Sequence, residues 1–76
     1  MDDIRLRVGT RIKELRNNQK ISQEQLSFKA ELDRTYITSV EAGKRNISVV
    51  ALEKIILALE TNYFEFFDTK SFKNEF

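Results

Sequence analysis

The sequence predicts an all-α fold, a compact domain of five short helices, from three observations. Apolar residues recur at the three- and four-residue spacing of a helix, and the strict alternation of a strand is weak. Three segments repeat the pattern of a helix start, in which a capping side chain stands between two apolar residues. The 76-residue chain has no proline and only two glycines, so long segments are free of residues that interrupt helices.

The first helix is predicted over about residues 4–19. Its apolar face carries four residues at spacings of four, four and three: Ile4, Val8, Ile12 and Leu15. Gly9 lies inside this segment, where a glycine costs about 1 kcal/mol relative to alanine. We therefore expect Gly9 to mark the close approach of another helix.

The following helices are predicted from their start signals. In each, a Ser or Asp side chain can accept a free backbone N–H of the first turn, and the flanking apolar side chains can close as a hydrophobic staple. The three sets are Ile21, Ser22 and Leu26, then Leu32, Asp33 and Ile37, then Ile47, Ser48 and Leu52. Asn62, with Glu65 three residues later, is a weaker fifth start. The predicted helices then cover about residues 22–30, 33–42, 48–59 and 62–69.

The connection between helices 2 and 3 is very short. Only Glu31 and Leu32 precede the Asp33 cap, and a turn of this length holds two helices at a steep fixed angle. This spacing is typical of a helix-turn-helix unit. Gly43 suits the left-handed conformation that follows a helix, so helix 3 is expected to end there.

Composition excludes several classes of function. The chain has no histidine and no cysteine, which removes the usual zinc sites, thiol nucleophiles, histidine triads and haem ligands. Acids such as Glu14 and Glu24 have no partner at useful spacing, so we expect no catalytic residues, no metal and no cofactor. No apolar run approaches the roughly 18 residues of a membrane span, so no membrane partner is expected. The lack of cysteine fits a reducing compartment, and we expect a cytoplasmic protein.

Charge is unevenly distributed along the chain. Residues 4–46 carry ten Lys and Arg against five Asp and Glu, whereas residues 47–76 carry three against five. Five of the six phenylalanines lie in the acidic segment. This indicates that the basic and the acidic segments form surfaces with different functions. The isoelectric point near 8.0 is below the value of about 9 typical of nucleic-acid domains, so charge alone leaves DNA or RNA binding undecided.

Several short motifs occur together in one order and spacing. They are Ser-Gln-Glu-Gln-Leu at 22–26, Arg-Thr-Tyr-Ile at 34–37, Glu-Ala-Gly at 41–43 and Leu-Glu-Lys-Ile-Ile-Leu-Ala-Leu at 52–59. Together they resemble the phage-repressor-like helix-turn-helix family, the Cro/repressor or XRE type, over about residues 5–67. The stretch from Arg34 to Glu41, followed by residues 43–48, looks most like the controller proteins of restriction–modification systems.

This resemblance implies a compact five-helix, repressor-like DNA-binding domain with the helix-turn-helix formed by helices 2 and 3. We assign DNA binding and dimerisation to residues 1–69 and expect residues 70–76 to be a frayed tail. The chain departs from the family at Glu31 and Glu60, where the family often has glycine after helices 2 and 4. If these residues are left-handed, each carries a backbone cost of about 1 kcal/mol.

The start of helix 3 is the expected base-reading surface. Because Ile37 and Val40 are expected to face the core, four polar residues can face away from it: Arg34, Thr35, Thr38 and Ser39. Arg34 can form two hydrogen bonds with a guanine, and the Thr35 methyl can touch a thymine methyl. The alternative is an ordinary solvated helix face.

Phosphate contacts are expected from a second group of residues: Gln23, Tyr36, Lys44, Arg45 and Asn46. The resemblance gives Gln23, at the start of helix 2, a phosphate contact and a packing role beside helix 3. Lys44 and Arg45 follow Gly43 in an exposed loop, where they can neutralise phosphates, complement the dipole of helix 3, or do both. Tyr36 fits a phosphate or base contact and a half-buried packing role equally well.

The resemblance also implies a structural ion pair and a dimer. Arg16 and Glu41 match positions that form a partly buried ion pair between helices 1 and 3, which fixes helix 3. The expected dimer interface comprises Ile47, Val50, Tyr63, Phe64, Phe66 and Phe67. The short fifth helix cannot bury its four aromatic rings, those of residues 63, 64, 66 and 67, inside a monomer. Aromatic residues are enriched in protein interfaces. The alternative has two rings capping the core and two exposed.

The sequence thus predicts a transcriptional regulator that binds a palindromic double-stranded DNA operator as a homodimer. By resemblance, it controls the operon of a restriction–modification system in a bacterium or phage, with RNA polymerase as a further candidate partner. One alternative is a phage-type repressor or an antitoxin-like autoregulator. Another, from a different class, is a protein-interaction module that uses the Phe-rich surface.

Overall fold

The computed structural model describes residues 3–73, which form five α-helices and one short 3-10 turn. The elements are α1 (Ile4–Asn18), α2 (Gln23–Ala30), α3 (Arg34–Glu41), α4 (Val49–Ala58), α5 (Tyr63–Phe67) and the 3-10 turn Lys70–Phe72. No strand occurs among these described residues, so the predicted all-α, five-helix fold is confirmed. The predicted helix bounds agree to within two residues.

Each predicted helix start carries the capping hydrogen bond that its sequence indicates. Ser22 accepts from the backbone N–H of Gln25, whose side chain accepts in turn from Ser22 N–H, which completes a capping box. Asp33, Ser48 and Asn62 cap α3, α4 and α5, each by accepting one backbone N–H of the first turn, without the reciprocal bond. The sequence reasoning missed the cap of α1, where Asp3 accepts from the N–H of Arg5. The Arg5 side chain also bonds Asp3 and lowers the pKa of that carboxyl to about 2.

Four helices are followed, within two residues of their ends, by a residue with a left-handed backbone. Gly43 has φ of 74°, and three non-glycine residues share this conformation: Lys20, Glu31 and Glu60. After α2, Glu31 N–H donates to Phe28 and Leu32 N–H donates to Ser27, which satisfies carbonyls at the helix end. Glu31 and Glu60 are therefore left-handed, at a backbone cost of about 1 kcal/mol each.

All five helices contribute side chains to one core. It is formed by eleven buried residues: Val8, Ile12, Leu26, Ala30, Ile37, Val40, Ile55, Ile56, Ala58, Leu59 and Phe66. Helix α1 packs against α3, and α2 packs against both α3 and α4. Gly9 marks the α1–α3 crossing, because a Cβ atom there would lie 2.2 Å from the carbonyl oxygen of Val40. The expected close approach at Gly9 is present.

The C-terminal aromatics differ from the sequence prediction. Phe66, assigned to a dimer interface, is 0% exposed and belongs to the core. Its ring packs edge-on against Phe67 and stacks with Phe72. The frayed tail expected at residues 70–76 stays a prediction, although its first residues form the 3-10 turn, in which Phe72 is half-buried. The rest of that expectation, at residues 74–76, lies outside the described residues.

Two arginines of α1 form hydrogen bonds with this C-terminal region. Arg11 donates to the carbonyl oxygens of Glu65 and Phe66, at 2.7 Å each, and Arg7 donates to that of Ser71 at 2.8 Å. These bonds fasten α5 and the 3-10 turn to α1. Among residues 3–73, no helix is both long enough and apolar enough to span a bilayer.

Candidate nucleic-acid interface

The outer face of α3 carries the residues predicted to contact bases. Arg34, Thr35 and Thr38 are exposed and Ser39 is half-buried, while Ile37 and Val40 on the opposite face are buried. The buried pair fixes the rotation of the helix about its axis, so the first turn presents its polar residues to solvent. The Arg34 side chain forms no ion pair within residues 3–73.

An ion pair holds α3 against α1. Arg16 Nε and Nη2 donate to the two carboxylate oxygens of Glu41 at 2.8 and 3.0 Å, which makes a bidentate ion pair. Arg16 also donates to the carbonyl oxygen of Ile21 at 2.9 Å. Glu41 is only 8% exposed, and its hydrogen bond raises the pKa of the Arg16 guanidinium. This pair joins the last turns of α1 and α3, the geometry that the resemblance implied.

Gln23 extends this contact towards the outer face of α3. Its Nε2 donates to Glu41 at 3.1 Å, and its Oε1 accepts from the Thr38 hydroxyl at 2.9 Å. The side chain is half-buried between α2 and α3. Both ends of the amide therefore have partners inside the protein, which supports the packing role beside helix 3. The phosphate contact of Gln23 stays a prediction.

The loop after α3 places three polar residues at the surface. Lys44, Arg45 and Asn46 are all exposed. The guanidinium carbon of Arg45 lies 4.7 Å from the centre of the Tyr36 ring, a cation–π contact. This contact was not predicted, because nothing in the sequence pairs residues nine positions apart across a helix end.

Tyr36 has the half-buried packing role considered for it, and its DNA contact stays a prediction. Its ring is half-buried and packs against the core, while its hydroxyl oxygen accepts from the N–H of Ser48 at 3.3 Å. The hydroxyl proton donates to no other residue of the described segment, so it remains available to a DNA phosphate.

Much of the positive charge in the first half of the chain serves the fold. Arg7, Arg11 and Arg16 all donate to groups inside the protein. The cations that remain beside the outer face of α3 are Arg34, Lys44 and Arg45. The charge balance of residues 4–46 therefore overstates the positive charge available to a partner. The positions of these three cations are more informative than the net charge.

A second exposed surface lies on α4 and α5. We define the α4–α5 face as Val49, Val50, Tyr63 and Phe64, whose exposed fractions are 82, 62, 52 and 76%. Val49, Val50 and Tyr63 line one shallow groove. The Tyr63 hydroxyl donates to Glu53 at 2.8 Å, which raises the pKa of that hydroxyl.

The structure divides the predicted interface residues between two environments. Val50, Tyr63 and Phe64 are exposed on the α4–α5 face, whereas Ile47 and Phe67 are half-buried against the core. Phe66 is fully buried, as described above. Val49 also lies on this face but was not among the predicted interface residues, because its exposure at the first position of α4 follows from how that helix packs.

Comparison with known proteins agrees with this architecture. Residues 12–66 match the helix-turn-helix family. The chain belongs to this family. Among relatives, it is 46% identical over 68 residues to the control protein C.MunI from Mycoplasma, which covers 88% of this chain and 92% of the relative.

Solved helix-turn-helix structures give the same result. The restriction–modification controller protein C.AhdI from Aeromonas hydrophila superposes with a TM-score of 0.80 at 41% identity, covering 84% of this chain and 97% of that one. The controller protein C.Esp1396I, solved as a tetramer with its natural 35 base-pair operator, gives 0.84 at 35% identity, covering 90% of each chain. The resemblance to restriction–modification controllers inferred from the motifs is thereby confirmed.

Proposed function

We propose that the protein is a sequence-specific DNA-binding transcriptional regulator whose recognition element is α3. The observation that carries this proposal is the exposed polar face of α3, held in a fixed orientation by the Arg16–Glu41 pair. The first turns of such a helix reach base edges in the major groove, and Arg34 there has a free guanidinium fork. Lys44 and Arg45 flank this helix, where cations neutralise phosphates and set the register.

The active species in this proposal is a homodimer. One α3 reads only a few base pairs, whereas two related by a dyad read half-sites about one helical turn, roughly 34 Å, apart. The α4–α5 face is the surface on which this dimer forms, because closed two-fold pairing is the common way to cover an apolar patch. The operator is then palindromic.

The regulated genes are those of a restriction–modification system. Support for this assignment comes from similarity to C.MunI and C.AhdI over most of each chain. Regulation follows protein concentration, since dimer binding depends steeply on it. Contact with RNA polymerase at the same promoter completes the proposal, and its site of action is the bacterial cytoplasm.

In vitro selection from random duplexes, followed by salt titration, tests the proposal. We expect an enriched palindrome and a logarithm of affinity that falls linearly with the logarithm of salt concentration, because cations released from phosphates drive binding. Absence of both would favour the protein-interaction module. A methyltransferase gene and an endonuclease gene beside this one would separate the controller from a phage-type repressor or an antitoxin-like autoregulator.

A further inference from the structure

Two threonine hydroxyls on the outer face of α3 already use their protons inside the protein. A threonine hydroxyl has one proton and two lone pairs, so a free one can donate to a base or accept from it. Which of the two it does decides the bases it favours. The hydrogen bonds of Thr35 and Thr38 settle this choice in the structure.

Thr38 lies within hydrogen-bonding distance of two groups that only accept. Its Oγ1 is 2.9 Å from Oε1 of Gln23 and 3.1 Å from the carbonyl oxygen of Arg34. The Gln23 amide is oriented by its Nε2, which donates to Glu41, so its oxygen faces Thr38. Glu41 is buried and paired with Arg16, which makes this orientation a consequence of the α1–α3 contact.

The Thr35 hydroxyl also donates its proton inside the protein, to the residue that caps α3. Its Oγ1 lies 2.5 Å from Oδ1 of Asp33, the residue that caps α3. An ionised carboxylate can only accept, and the hydrogen bond from Thr35 lowers the pKa of Asp33. The Thr35 hydroxyl is therefore a donor to the cap.

We propose that Thr35 and Thr38 read bases only as hydrogen-bond acceptors and through their methyl groups. The base edges that suit them are the amino groups of adenine and cytosine and the methyl group of thymine. Guanine O6 and N7 and thymine O4 need a donor, and Arg34 supplies one on the same face. This inference rests on the proposed function, since it names the base chemistry that the same site recognises.

Base analogues in the selected operator test the inference at Thr38. Purine in place of adenine, or 2-pyrimidinone in place of cytosine, removes one amino group, and deoxyuridine in place of thymine removes one methyl. The variants are Thr38→Val, which keeps a methyl but has no hydroxyl, and Thr38→Ser, which keeps only the hydroxyl. The same pair of variants at Thr35 repeats the test there.

At one half-site position, we expect loss of an amino group to weaken operator binding by wild type and by Thr38→Ser about fivefold or more. Binding by Thr38→Val, which has no hydroxyl, should not change when that amino group is removed. A methyl contact gives the opposite pattern: deoxyuridine weakens wild type and Thr38→Val but not Thr38→Ser. Either pattern supports the inference. Affinity for random DNA is the control, and it should not change in either variant.

The inference is overturned if the sensitive group is a carbonyl. In that case 2-aminopurine for guanine, or 5-methyl-2-pyrimidinone for thymine, would weaken wild type while Thr38→Val lost this sensitivity. It is also overturned if no analogue distinguishes the two variants from wild type. Both results presuppose a selected operator. A wild-type protein that selects no sequence would instead contradict the proposed function.

Discussion

Arg34 is the residue on which we expect sequence-specific binding to depend most. It lies exposed in the first turn of α3, and its guanidinium has no ion-pair partner within residues 3–73. We expect Arg34→Ala to weaken operator binding by about 1–3 kcal/mol and to relax preference at one position of each half-site. Competition between operator and random duplexes measures this, and unchanged preference would contradict a base contact.

The Arg16–Glu41 pair is expected to stabilise the fold. Removing Glu41 leaves a largely enclosed guanidinium with only the Ile21 carbonyl, so Glu41→Ala should lower the free energy of unfolding by about 3 kcal/mol. A double-mutant cycle with Arg16→Ala in denaturant titrations should give a coupling of about 1–3 kcal/mol. Additive effects would show that the contact contributes nothing to stability.

Residue roles were predictable where local chemistry decides them. Ser22, Asp33 and Ser48 are caps because their oxygens reach the first turn whatever the tertiary structure. Arg11 could not be recognised in this way, because it binds carbonyl oxygens 54 and 55 residues away, and a carbonyl has no sequence signal. Whether the Thr38 hydroxyl donates or accepts likewise depends on Gln23 and Glu41, which lie in other segments.

At the scale of elements, the α1–α3 crossing positions the recognition helix. A Cβ atom at Gly9 would meet the carbonyl oxygens of Val40 and Glu41 at 2.2 and 2.9 Å, and backbone atoms there cannot move aside independently. Gly9→Ala should therefore destabilise the fold by about 1–3 kcal/mol, although alanine favours an isolated helix by about 1 kcal/mol.

Thermal unfolding followed by circular dichroism checks the prediction for Gly9. The matched control is Thr10→Ala, the next position of α1, which is exposed. The control should leave the melting temperature unchanged or raise it. A stabilised Gly9→Ala variant would show that α1 and α3 are not in close contact.

Lys44 and Arg45 in the loop after α3 are expected to act on DNA through their charge. Lys44→Ala or Arg45→Ala should weaken binding to all duplexes alike and reduce the slope of log affinity against log salt by about one per half-site. Lys54→Ala is a control, because Lys54 lines a groove between α2 and α4 with Leu57. An unchanged slope in the loop variants would leave Lys44 and Arg45 the role of complementing the α3 dipole.

The elements show where sequence patterns stop being informative. Helices α1 to α4 were predicted because their apolar residues repeat at helical spacing between clear caps. In α5, Tyr63, Phe64, Phe66 and Phe67 are all aromatic, so no periodicity indicates which ring faces inwards. Tertiary packing decides it: the Phe66 ring is buried in the core, Phe64 is exposed, and Arg11 bonds the carbonyl oxygen of Phe66.

At the scale of the whole molecule, the dimer is expected to form through the α4–α5 face. Phe64→Asp should yield a folded monomer, because this ring is 76% exposed in the single chain and its loss leaves the core intact. Phe28→Asp is the matched control, at 77% exposed on α2, and should remain dimeric. Sedimentation velocity with circular dichroism reads both oligomeric state and folding. A dimeric Phe64→Asp variant would place the interface elsewhere.

The proposed dyad arrangement of two α3 helices reads two half-sites one helical turn apart. Its most direct test compares the selected palindrome with two duplexes of equal length, one with a single half-site and one with about five base pairs added between the half-sites. We expect two chains per palindrome and much weaker binding to both comparison duplexes, because added half-turn spacing places the half-sites on opposite faces of the DNA. One chain binding the single half-site as tightly as the palindrome would contradict this arrangement.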